Sequence, residues 1–95
     1  MTARIMVQVT VDEGKEEEFE RTFRGIAPEI EKAPRLIQHQ VIRAMDDPHS
    51  YIMLSEWESA EDFDTWEKTQ GHRDLVRPLT LMWHGARIKK YEVVL

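Results

Sequence analysis

What most constrains this chain is the order in which two hydrophobic periods alternate along it. Residues 3–11, ARIMVQVTV, have period two, with Ile5, Val7, Val9 and Val11 on one side and Met6, Gln8 and Thr10 on the other. Residues 15–32 switch to a helical period, where Phe19, Phe23, Ile26 and Ile30 form one apolar stripe and Glu16, Glu17 and Glu18 crowd the first turn. Pro28 falls inside that helix and predicts a kink in its last turns, and Ala33-Pro34 ends it. Residues 36–45 and 50–58 form two further strands joined at Asp46-Asp47-Pro48-His49, a hairpin. Ser59 caps the next helix, with Asp62 three residues on and Phe63 and Trp66 on one face. Gly71 predicts an interruption, and HRDLVRPLTLM a second helical piece with Leu75 and Leu79 inward. Residues 86–95 alternate again as the last strand.

The resulting order is β-α-β-β-α-β over one domain, residues 1–95, without repeats or linkers. Two such β-α-β halves predict an α+β, ferredoxin-like fold, an antiparallel sheet with its helices on one face. The other face carries Met6, Gln8 and Thr10, too mixed for a monomer core but suited to a second sheet.

Composition narrows the function. Eighteen acidic residues against 13 basic ones give a net charge of −5, which argues against a nucleic-acid partner. No apolar run approaches the roughly 20 residues a bilayer requires. The first residues lack the pattern of a signal peptide, so a cytoplasmic location is the expectation. With no cysteine, disulfides and thiolate chemistry are excluded. The four histidines show no metal-ligand spacing, and no glycine-rich phosphate loop or nucleophilic triad is present.

The segment DDPHSYIMLSEWESAEDFDTW, residues 46–66, resembles the middle of the antibiotic biosynthesis monooxygenase family: an acidic-proline turn, a strand ending in Trp57-Glu58-Ser59, and an acidic helix start bearing Phe63 and Trp66. Gly71-His72 and the closing KYEVV extend the likeness across nearly the whole chain. Where many members place Pro-Gly before the second strand, this chain has Pro34-Arg35, so the turn there is expected to differ locally.

The resemblance implies a homodimer, a dimeric α+β barrel, with a pocket between sheet and helices in each subunit. Its activity would be a monooxygenase acting on a small aromatic (quinol, phenol or anthrone-like) with molecular oxygen and no cofactor. Trp66 would be a pocket wall and His72 the proton acceptor, since an imidazole titrates near working pH. Val7, Phe23, Phe63 and Trp83 would line the pocket, with His84 as a second proton acceptor in a loop and Arg77 at the mouth. Haem-degrading relatives offer an alternative, with His72 as the nearest candidate iron ligand. They carry an asparagine on the first strand where this chain has Val7, which weakens that alternative. A non-catalytic dimeric small-molecule binder is a third. His39, between two glutamines, is read as facing solvent or a partner subunit, and His49 as solvated.

Overall fold

The computed structural model describes residues 2–95. Its elements are β1 (Ala3–Val11), α1 (Glu16–Ile30), β2 (Leu36–Arg43), β3 (Ser50–Trp57), α2 (Ala60–Glu67), α3 (Gln70–Thr80) and β4 (Trp83–Glu92). The four strands form one antiparallel sheet in the order β2-β3-β1-β4. This is the α+β, ferredoxin-like arrangement expected from the two periods.

The alternation in β1 sets the two faces. Ile5, Val9 and Val11 are buried, and register carries their face across to Tyr51 and Ser55 on β3. Phe19, Phe23 and Ile30 of α1 pack onto Val9, Val11 and Tyr51, joined by Leu79 of α3 and Met82. A second cluster of Ile5, Ala33, Trp57 and Phe63 sits under α2. Among the described residues every fully buried side chain is apolar or aromatic. No helix among them is long and apolar enough to cross a membrane.

Several boundaries differ from the expectation, each for a local reason. α1 runs through Pro28 to Ile30, so the helix tolerates the one backbone hydrogen bond that the proline removes two residues before its end. The interruption after α2 falls at Lys68-Thr69 rather than at Gly71: the Thr69 hydroxyl accepts from the His72 N–H (3.1 Å) and caps α3, so Gly71 lies within that helix. β4 starts at Trp83 rather than at Ala86. Gly85, with φ +69°, occupies a bulge where β4 holds one more residue than β1 between the Gln8–Arg87 and Thr10–His84 pairs. Arg35 adopts φ +68° in the turn where a glycine was missing, so the backbone keeps a left-handed turn with a costlier residue.

Candidate functional site

Between the helices and the sheet lies a cavity of about 250 Å³. Its sheet side is formed by Val7 of β1, Met53, Ser55 and Trp57 of β3, Ile88 of β4 and His39 of β2. Its helix side is formed by Phe23 and Ile30 of α1, Phe63 and Trp66 of α2, and His72 and Val76 of α3. The opening exists because the two core clusters sit at opposite ends of the sheet and only partly buried side chains, Val7, Leu36 and Trp66, pack against both.

The aromatic wall is built by cross-packing. Ser59 accepts from the Asp62 N–H (3.2 Å), starting α2 so that Phe63 and Trp66 face the sheet. Trp57 lies with its ring centroid 5.6 Å from Phe63 and 5.3 Å from Trp66, and its indole N–H donates to Ser55 Oγ at 2.8 Å. Trp66 is only partly buried, since one side of its ring borders the cavity. The His72 ring meets Trp66 edge-on at 4.4 Å.

His72 is the cavity's most distinctive polar group. Its Nδ1 is buried without a hydrogen-bond partner. Desolvation holds its pKa below the ordinary histidine value of 6.5, against the opposing pull of Glu67, while Arg73 lowers it further. The imidazole is therefore neutral at pH 7, with a nitrogen free to accept a proton.

Of the residues singled out in the sequence, Val7, Phe23, Phe63, Trp66, His72 and Trp83 all border this cavity. Two do not. His84 pairs with Thr10 on the open sheet face, and its Nδ1 lies 2.8 Å from Asp12 Oδ1 in solvent. It belongs to β4 rather than to a loop, and the strand's parity turns it away from the cavity. Arg77 lies on the outer side of α3, its guanidinium 3.1 Å from Asp74, because Val76 and Leu79 take the inward positions.

Several lining residues were missed, among them Met53, Trp57, Ile88 and, most notably, His39, whose side chain is 12% exposed and whose Nε2 is buried without a hydrogen-bond partner. A bulge hid His39. Leu36 pairs with Trp57 and Gln38 with Glu56, so β2 spends two residues against one and its parity changes at Ile37. Counting by two from Leu36 puts His39 on the wrong face; counting from Val41, which packs on the core, puts it inside.

Among the described residues no three His, Asp or Glu side chains converge as metal ligands do. The cavity also fits a haem poorly. His72 offers a free nitrogen, but the Trp66 ring packs against its edge, and the β1 residue facing in is the apolar Val7.

Comparison with known proteins places this geometry. SchA of Streptomyces halstedii is 25% identical over 91 residues, 96% of this chain but 24% of SchA, so the chain spans about a quarter of that relative's length. The heme oxygenase (mycobilin-producing) of Mycobacterium tuberculosis is 29% identical over 93 residues, 92% of this chain and 84% of that protein. Among solved structures, SnoaB, a cofactor-independent oxygenase from Streptomyces nogalater, superposes with a TM-score of 0.85 at 19% identity, covering 99% of this chain and 94% of SnoaB; that likeness is one of fold. The family model for antibiotic biosynthesis monooxygenase matches residues 2–78, and the chain belongs to that family.

Proposed function

We propose that the protein is a cofactor-independent monooxygenase acting on a small, electron-rich aromatic. The observation that carries this reading is the pairing of an apolar, tryptophan-walled cavity with a neutral imidazole whose Nδ1 is free. An apolar cavity of about 150 Å³ admits benzene. At about 250 Å³ this one has room for a larger, fused ring.

The protein has little to do in such chemistry. His72 accepts one proton from the bound phenol or anthrone, which raises the ring's electron density. The ring anion then passes an electron to molecular oxygen, and the radical pair joins at carbon to form a peroxide. For an anthrone, loss of water leaves a carbonyl: one oxygen atom stays in the product, and the other departs with the two hydrogens of the original methylene. The dry walls formed by Trp57, Phe63 and Trp66 keep solvent from the intermediates.

The open sheet face is the proposed seat of a second copy. Met6, Ile42, Ile52, Leu54 and Tyr91 share it by register, and Ile42 and Tyr91 are each more than 40% exposed. Sedimentation should return a dimer at micromolar concentration, and a persistent monomer refutes that assignment.

The functional test is oxygen consumption by metal-free protein given an anthrone or a quinol, compared with His72→Phe. Turnover lost in the variant supports the reading. No uptake across a panel of phenols, quinols and anthrones overturns it, and a Soret band on haemin titration that disappears in His72→Phe would redirect it to haem chemistry.

A further inference from the structure

His39 has no role in the chemistry just described, yet it is built into the same cavity. It rises from β2 opposite Ser55 of β3, with its ring centroid 6.1 Å from that of Phe23. Its Nε2 is sealed from solvent and makes no hydrogen bond, with Glu31 Oε1 at the surface end of α1 standing 3.6 Å away, within ion-pair distance. A polar nitrogen left buried without a hydrogen bond is costly, and an oxygen-bearing occupant of the cavity would relieve that cost. His39 also stands at a boundary. With Phe23 and Gln40 it borders both the apolar cavity and a polar surface groove formed by Glu20, Arg24, Arg43 and Tyr51.

Two imidazoles therefore border one apolar space, His72 from the first turn of α3 and His39 from the edge strand. Each has a buried nitrogen without a partner. A ligand with a single oxygen satisfies one of them. We propose that His39 is a specificity-determining residue, a second polar anchor that selects aromatic ligands bearing oxygen substituents at both ends, one toward His72 and one toward the groove. This rests on the aromatic-ligand reading of the cavity, but not on oxygenation taking place there.

The test is anaerobic binding, followed by quenching of tryptophan fluorescence, with two probes of the same ring: 1-naphthol and 1,5-dihydroxynaphthalene. One added hydrogen bond to a buried group corresponds to roughly tenfold in affinity, more than the factor of about two that the diol gains from its symmetry. Wild type should prefer the diol by about that margin. His39→Phe should lose the preference down to the statistical factor of about two, whatever its absolute affinity for 1-naphthol, while His39→Gln, which keeps a donor and an acceptor, should retain part of it. His39→Ala repeats the comparison should the larger ring distort the cavity. Equal affinity for the two probes in wild type, or an undiminished preference in both His39→Phe and His39→Ala, overturns the proposal. A diol preference that depends on His39 in a protein showing no oxygen uptake would sustain the anchor while removing the oxygenase.

Discussion

Two tryptophans whose rings lie 5.3 Å apart should respond differently to truncation, and the difference measures whether the cavity is a site. Trp57 is 1% exposed, with its indole N–H bonded to Ser55, so Trp57→Ala removes a fully packed ring. Such a change costs about 3–5 kcal/mol, a large part of a small domain's stability. Trp66 is only partly buried and already lacks contacts on its cavity side, so Trp66→Ala should cost about half as much, roughly 2 kcal/mol. For 95 residues the unfolding entropy near the midpoint is about 0.2 kcal/mol per kelvin. Thermal unfolding should therefore fall by roughly 15–25 °C for Trp57→Ala and by about 10 °C for Trp66→Ala. Adding 1-naphthol separates the two roles of Trp66. At a concentration about 100 times its Kd, the ligand raises wild-type stability by about 2.7 kcal/mol, or roughly 13 °C. If loss of the stacking face weakens binding about tenfold, the same concentration raises Trp66→Ala by only about 7 °C. Equal thermal penalties in the two variants, with an undiminished ligand shift in Trp66→Ala, would show Trp66 to be core packing and refute its role as a cavity wall.

His72 gives a pH signature. Its folded pKa is depressed, so between that value and the ordinary 6.5 the unfolded chain binds more protons than the folded one. Stability should fall as pH drops below about 6.5 and level off beneath the folded pKa; urea titrations between pH 5 and 8 should show this slope flattened in His72→Phe. If the protein oxygenates the proposed aromatic with His72 as proton acceptor, kcat/KM should fall along one acidic limb with a midpoint below 6.5. Ser59→Ala removes the hydroxyl that caps α2 and should cost about 1 kcal/mol by chemical denaturation. Arg35→Gly relieves the positive φ and should stabilise by about 0.5–1 kcal/mol, slightly offset by loss of the 3.6 Å Arg35–Asp62 contact at the surface. An unchanged or lowered urea midpoint in that variant would contradict the strain argument.

What could be read from the sequence divides along a physical line. Where one element buries one face over a continuous period, as Ile5, Val9 and Val11 do in β1 or Phe19, Phe23 and Ile30 in α1, the pattern in the chain is the pattern in the core. The cavity's apolar walls were legible for the same reason, since Val7, Phe63 and Trp66 continue those stripes. The two misplaced histidines lie at bulges. A strand's side chains alternate with period two, so one inserted residue reverses every assignment beyond it. In β2 the insertion at Ile37 carried His39 from the presumed solvent face into the cavity, and in β4 the Gly85 bulge made a strand residue, His84, resemble a loop residue. The two histidines thereby exchanged their expected places.

That exchange bears on function as well as on prediction. The two imidazoles enter the apolar cavity where the backbone departs from regular alternation or where a helix begins, since most regular inward positions are taken by the residues that make the core. His39 follows a bulge and His72 lies in the first turn of α3, behind the Thr69 cap. Both imidazoles thus enter at irregularities of the fold, whereas Ser55, at a regular β3 position, spends its hydroxyl oxygen accepting from the Trp57 indole. Replacing either imidazole with an apolar ring should leave the sheet and helices intact while changing what the cavity holds. Unfolding of both His39→Phe and His72→Phe would mean that these nitrogens serve the core, and that the cavity is a packing defect.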